Sequence, residues 1–291
     1  MGQRNILITG ANGQLGNCLR DLAAEHQEQC RFFYTDVEEL DITDAAAVND
    51  YILDHNINIV INAAAYTAVD KAEDDVDRAY LLNRDAVRNL AKAAREHDCL
   101  LVHISTDYVF SGDSSKPHEE TDTPAPKSVY GASKLAGEQA ITESGCCAIV
   151  IRTSWLYSEY GNNFVKTMLR LGTERESLNV VSDQIGGPTY AGDLARFIFK
   201  LIEVASKEKK AEFYHFANEG VCSWYDFAKA IMEMGGKKCR VNPIFTSEYP
   251  AKARRPASSV FNLRKIKTAT NMEIPYWRES LLLKISKLQE K

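Results

Sequence analysis

The chain has 291 residues, 45% of them hydrophobic and 26% charged, with a formal net charge of -5. This length suits one large α/β domain or a core with a smaller lobe, and the composition is that of an ordinary soluble globular protein. The negative balance offers no basic field to nucleic acid, and no apolar run reaches membrane-spanning length.

The start, Met1 to Asn5, leads straight into the apolar Ile6-Leu7-Ile8. It lacks the hydrophobic region and cleavage site of a signal peptide. Gly2 stands where a myristoylated glycine would, but Ile6 occupies the place of the required Ser or Thr. The seven cysteines (Cys18, Cys30, Cys99, Cys146, Cys147, Cys222 and Cys239) are odd in number and form no C-x-x-C pair. They read as reduced thiols of a cytoplasmic protein, not as a disulfide frame or zinc site.

Apolar runs at 5–9, 31–35, 57–62, 100–105 and 148–152 are rich in Ile, Val and Phe. Several are apolar at consecutive positions, as expected of strands buried on both faces of a parallel sheet. Helix-like stretches at 14–24, 44–54, 76–96 and 129–143 separate them, with Asp41, Thr43 and Asp44 as capping groups before the second. Repeated βα units predict right-handed crossovers and a doubly wound α/β sheet of the Rossmann type. Beyond about residue 155 the alternation loosens. Helices are predicted at 164–171 and 190–204 around a strand at 178–181, then a strand at 213–217 and a helix at 224–234. The stretch 242–256 has three prolines and two adjacent arginines and reads as a surface loop, and the charge run 207–210 as a solvated helix end. The expected organisation is a dinucleotide-binding core over 1–155, with 178–204 returning to it, and a smaller substrate-binding lobe over 156–291.

Gly10-Ala-Asn12-Gly13-Gln14-Leu15-Gly16 follows the first strand and opens the first helix. That is the setting of a dinucleotide fingerprint: glycines permit a tight turn and close approach to pyrophosphate, and the helix N-terminus presents free N–H groups. The same glycines would also make a turn that binds nothing. Asp36 closes the second strand, where a carboxylate accepts from the adenosine ribose and favours NADH over NADPH. No arginine directly follows it to clamp a 2′-phosphate. Asp41 and Ile42 would border the adenine. Ala63-Ala64-Ala65-Tyr66 after the third strand would let the backbone approach a flat cofactor, although core packing explains the alanines almost as well.

Tyr130 and Lys134 form Y-x-x-x-K on a predicted helix, where positions four apart share a face. A free phenol titrates near about 10, and a fixed cation beside it would lower that value and suit it to proton transfer. Thr106, just past the fourth strand, stands at the carboxyl edge of the sheet, where its hydroxyl would assist the phenol or a sugar oxygen.

These motifs together resemble the extended short-chain dehydrogenase/reductase family, from Ile6 to about Asp193 with a looser continuation. Within it, the segments at 62–73, 105–110, 130–138, 152–157 and 182–189 are most similar to the dTDP-4-dehydrorhamnose reductases. The resemblance implies reduction by NADPH or NADH of the C4 keto group of dTDP-4-dehydro-L-rhamnose to dTDP-L-rhamnose, for surface polysaccharide. It assigns proton donation to Tyr130, support to Lys134 and Thr106, and shaping of the sugar pocket to Asp107 and Tyr108. Related dehydratases carry Glu after Thr-Asp; Tyr108 stands there in this chain, which argues against that chemistry. Trp155 would wall the sugar or nicotinamide pocket. Asn163, Gln184 and Thr189 are candidate nucleotide and sugar contacts, and Arg254 or Arg255 would meet the diphosphate. His103, His118 and His215 have no ligand spacing and read as structural. Magnesium accompanies some relatives, but no carboxylate cluster marks a site here. A homodimer is the prior for this class. Two other readings stay open: a non-catalytic NADP-binding partner of methionine adenosyltransferase, and an epimerase on another nucleotide sugar.

Overall fold

Strands that are apolar at consecutive positions need helices over both faces. The computed structural model describes residues 3–206 and 208–289. Met1, Gly2 and Lys207 lie outside the described residues, and with them the start of the chain and the first member of the 207–210 run. Five strands, β1 (Arg4–Thr9), β2 (Cys30–Thr35), β3 (Ile59–Asn62), β4 (Leu100–Thr106) and β5 (Ala148–Thr153), alternate with helices. The helices are α1 (Gln14–Ala23), α2 (Ala45–Asp54), α3 (Val69–Ala72), α4 (Val76–Tyr80), α5 (Ala86–Glu96) and α6 (Val129–Ser144). Then come β6 (Leu156–Tyr157), α7 (Phe164–Glu174), β7 (Ser177–Val181), β8 (Ile185–Gly186), β9 (Thr189–Tyr190), α8 (Ala191–Val204) and β10 (Ala211–Phe216). The chain closes with β11 (Cys222–Ser223), α9 (Trp224–Met234), β12 (Arg240–Ile244), β13 (Ser258–Ser259), α10 (Arg264–Thr270) and α11 (Trp277–Gln289).

The central sheet has six parallel strands in the order β10-β5-β4-β3-β1-β2. Because β1 lies between β2 and β3, the winding reverses there, and a crevice opens beyond the carboxyl ends of β1 and β3. Side chains alternate across the sheet: Ile6, Ile8, Ile61, Val102 and Ile151 meet α1, α8 and α10, whereas Leu7, Val60, Leu101 and Val150 meet α2, α5 and α6. Each such fully buried side chain contributes about 2 kcal/mol. A separate core of Tyr157, Met168, Phe227, Ile231, Trp277 and Leu281 holds α7, α9 and α11 together as the lobe.

Several boundaries depart from the sequence expectations. Strand β10 joins the central sheet beside β5, although it falls within the stretch read as lobe, and β7 pairs with β12 in the lobe instead of returning to the core. The expected loop 242–256 begins inside β12, with Pro243 opposite Val180. A two-stranded sheet has only edges, so the missing N–H of Pro243 costs no interior ladder bond. The helix expected over 76–96 is broken by a π turn, Leu81–Asp85. Helices α10 and α11 carry weak patterns: in α11, Leu281 and Ile285 are buried while Leu282 and Leu283 are exposed, which blurs the helical period.

Helix α6 is the element that fixes the site. Ser128 caps it by accepting from the Gly131 N–H at 3.1 Å, and Gly145 ends it in the left-handed conformation at φ +64°. Along one face lie Tyr130, Lys134 and Glu138. The Glu138 carboxylate accepts from Arg152 of β5 at 2.7 and 3.0 Å and from the Ser105 hydroxyl of β4 at 2.5 Å. Both ionic partners are buried, and the Arg152 guanidinium is also sandwiched 5.0 Å from the Phe110 and Phe213 rings. Removing one partner strands a buried charge. Glu138→Ala is therefore expected to lower stability by about 3–5 kcal/mol, read as a shift in the urea midpoint. A shift of a few tenths of a kcal/mol would show that the clamp is replaceable.

Candidate active site

A cleft of about 840 Å³ runs along the carboxyl edge of the sheet, from the β1–α1 turn to α6 and the lobe. Its floor at one end is the glycine turn. Gly10 has φ +64°, and a Cβ there would stand 2.6 Å from the Ala64 nitrogen, so the turns after β1 and β3 touch through bare backbone. Gly10, Gly13, Gln14, Leu15, Asp36, Asp41, Ile42, Ala63, Ala64 and Ala65 all line the cleft. Asn12, Gly16 and Tyr66 are not among the lining residues. Asn12 donates its N–H to the Asp36 carboxylate at 3.3 Å, and Gly16 is buried against the Gly10 carbonyl. Tyr66 is drawn away by Asn83 of the π turn, which bonds both its N–H and its carbonyl, and by Asp75, which accepts from its hydroxyl at 3.2 Å. The Asp41 carboxylate accepts from the Thr43 N–H and hydroxyl, which hold it below the usual carboxylate range.

The reactive end is assembled by a close approach. A Cβ on Gly131 would lie 2.2 Å from the Tyr108 carbonyl, so only glycine lets α6 press against the turn after β4. Thr106 and Tyr130 both line the cleft here, and Tyr108 meets the Tyr130 ring edge-on at 5.4 Å and 74°. Burial raises the Tyr130 pKa above its ordinary value, against the pull of Thr106. This corrects the expectation of a phenol acidified by Lys134. The Lys134 amine instead donates to the Ile104 carbonyl at 2.6 Å, and burial pushes its pKa down to about 8 while Glu138 opposes the shift.

Beneath Lys134 lies His103, which sequence alone did not connect with the site. Thr9 and Ala64 both donate to the Asn62 oxygen, so the Asn62 amide nitrogen donates to His103 Nδ1 at 3.0 Å. His103 is buried and neutral, its pKa pushed down by burial and by Lys134. Its remaining N–H, on Nε2, faces Lys134 Nζ at 3.3 Å and disfavours an ammonium there.

On the lobe side, Trp155 stacks on Trp224 at 3.7 Å, and both line the cleft with Asn163. Asn163 caps α7 and donates to Gln14 at 2.9 Å, joining lobe to glycine turn. Tyr108 lines the cleft, its phenol pushed up to about 12 by burial. Asp107 does too, but its carboxyl accepts from Thr106 and from Ser259 of β13, and burial raises it to about 6. Gln184 and Thr189 stand back from the cleft: the Gln184 amide donates to Thr246 and the Thr189 hydroxyl accepts from Thr153. Arg254 is exposed. Arg255 pairs with Asp70 at 2.6 Å and donates to the Tyr108 hydroxyl at 3.4 Å, with its Nε buried and unpartnered.

Sequence reasoning missed Arg78, Val69, Ser154 and Trp224, which also line the cleft. Val69 and Ser154 fall within the segments 62–73 and 152–157 but carry no residue type that marks a site, and Arg78 and Trp224 lie outside those segments. Among the described residues no group of three or more His, Cys, Asp or Glu is placed to hold a metal, and no helix is long and apolar enough to cross a membrane.

The model of the RmlD substrate binding domain family matches residues 4–290. A dTDP-4-dehydrorhamnose reductase of Aggregatibacter actinomycetemcomitans is 45% identical, over 95% of this chain and 96% of its own length. The reductase of that name from Escherichia coli K12 is 40% identical, over 94% of each. The crystal structure of dTDP-4-dehydrorhamnose reductase from Bacillus anthracis in complex with NADP superposes with a TM-score of 0.93 at 43% identity, covering 98% of this chain and 99% of that one. The glycine turn, the Thr106–Tyr130–Lys134 grouping and these similarities together place the chain in the RmlD family, that of the dTDP-4-dehydrorhamnose reductases.

Proposed function

We propose that the protein reduces the C4 ketone of dTDP-4-dehydro-L-rhamnose, giving dTDP-L-rhamnose for surface polysaccharide. The observation that carries this reading is the gathering of Thr106, Tyr130 and Lys134, the last two on one face of α6, in a cleft continuous with the Gly10 turn. The residues fit a nicotinamide dinucleotide: bare backbone at Gly10 and Ala63–Ala65 admits a flat, phosphate-bearing ligand, and Asp36 and Asp41 wait at the far end. When bound, the reduced nicotinamide supplies hydride to C4.

In this reading Tyr130 donates the proton to the C4 oxygen. Its raised pKa is suited to that task, because reduction begins from the protonated phenol. The Thr106 hydroxyl, which donates to Asp107, would have to turn from that carboxylate to donate to the phenolate left behind. Lys134, anchored on Ile104, adds positive charge on the same face of α6. Tyr108 and Trp155 wall the sugar, and Arg255, steadied by Asp70, meets the diphosphate. Tyr108 in place of an acid leaves no partner for eliminating water across C5–C6, which supports simple reduction. The seven cysteines are all free, in keeping with a reducing, cytoplasmic setting.

Tyr130→Phe is expected to lower kcat at least about 100-fold in an NADPH-consumption assay with the keto sugar nucleotide, with the cofactor Kd nearly unchanged. Retention of most activity would reject Tyr130 as the donor. The pH profile gives an independent check. The Lys134 pKa is depressed to about 8, so its charge is lost as pH rises through that value while Tyr130 stays protonated. The alkaline limb of kcat/KM should therefore have its midpoint near 8. A profile flat well above that point would remove the Lys134 charge from the mechanism.

A further inference from the structure

The cleft is lined by two carboxylates at its adenosine end, Asp36 and Asp41, and by only two Lys or Arg side chains among the described residues, Lys134 and Arg78. Lys134 is buried at the reactive end and committed to Ile104. Arg78 stands on α4, forty-two positions after Asp36, so no local motif advertises it. Asn89 of α5 donates to the Ile42 and Thr43 carbonyls at 3.2 and 3.0 Å, which seats the α4–α5 segment against the Asp41 turn. Arg78 and Asp41 both line the cleft.

Several other charges of this segment are already paired. Arg84 and Arg88 share the Asp85 carboxylate, Asp75 accepts from Tyr66, and Asp74 pairs with Lys252. The Arg78 side chain is exposed and makes no hydrogen bond or ion pair with any described residue. The Asp36 carboxylate is turned toward backbone, accepting from the Asn12 and Val37 N–H groups at 3.3 and 3.0 Å. An adenosine 2′-phosphate entering this end would meet one unspent guanidinium and a carboxylate already partly satisfied by amides. A guanidinium takes a phosphate through two parallel N–H bonds.

We propose that Arg78 is the residue that receives the adenosine 2′-phosphate, and so sets the preference of this chain for NADPH over NADH. The inference rests on the dinucleotide reading of the cleft but not on the identity of the sugar. It supplies from a distant helix the clamp that is missing next to Asp36.

The test is a titration of NADPH and NADH by nucleotide fluorescence, without sugar substrate, on the full-length protein and on Arg78→Ala and Arg78→Lys. Arg78→Ala should weaken NADPH about tenfold and NADH less than about twofold, Arg78→Lys should fall between, and the steeper salt dependence of NADPH binding should flatten in Arg78→Ala. Equal loss for both cofactors would mean that Arg78 stacks on the adenine, and no loss for either would mean that it faces solvent; each overturns the proposal. Because Arg78 is exposed, an unchanged thermal melt of Arg78→Ala separates lost contact from lost fold. Failure to turn over the keto sugar would overturn the reductase reading and leave these titrations unaffected.

Discussion

The buried ion pair between Glu138 and Arg152 is the constraint on which the site depends. It joins α6 to β5, recruits Ser105 of β4, and does so in a region where neither charge reaches water. Glu138 is one helical turn from Lys134 and two from Tyr130, so whatever fixes Glu138 also fixes the height and rotation of both reactive groups above the sheet edge. The close contact of Gly131 with the Tyr108 carbonyl sets the remaining degree of freedom, the tilt of the helix start toward Thr106. A charge pair in the interior is a poor source of net stability compared with apolar packing, but it tolerates few alternative geometries. That property suits a helix that carries Tyr130 and Lys134 into the cleft.

Burial governs the electrostatics of the reactive end. It raises the Tyr130 phenol and lowers the Lys134 amine, which brings a weak acid and a weak base toward each other in titration. The Thr9–Asn62–His103 chain extends this effect beneath Lys134, because a neutral imidazole with its N–H toward the amine offers no stabilisation to a cation. The resting state that results has a protonated phenol beside an amine whose charge is weakly held.

The short helix α3 links the mouth of the cleft to its machinery. Asp70 accepts from the Ala253 N–H and from Arg255, Asp74 pairs with Lys252, and Glu73 accepts from the Val129 N–H at the start of α6. Several of these groups are partly exposed, so each contact is worth little by itself. Acting together, they register the loop carrying Arg255 against the helix carrying Tyr130.

The sequence by itself determined the central sheet and the order of its parts. Consecutive apolar residues in the first five strands, capping groups before α2 and the glycine turn after β1 are local signals, read without knowing what lies nearby. It also marked Tyr130, Lys134 and Thr106, since their spacing and strand-end position follow from helix and strand periodicity. Tertiary structure decided what depends on distance along the chain. The sixth core strand, β10, comes from the region read as lobe because its partner β5 is fixed by sheet pairing, which composition does not encode. Gln184 and Thr189 carry suitable side chains, yet neighbours far away in sequence bond them, and the Tyr66 hydroxyl is taken by Asp75. Arg78 and His103 show no motif and still reach the cleft or its floor. The sign of the Tyr130 shift was likewise beyond local reading, because desolvation depends on everything that surrounds the ring, whereas helix spacing reveals only one neighbour.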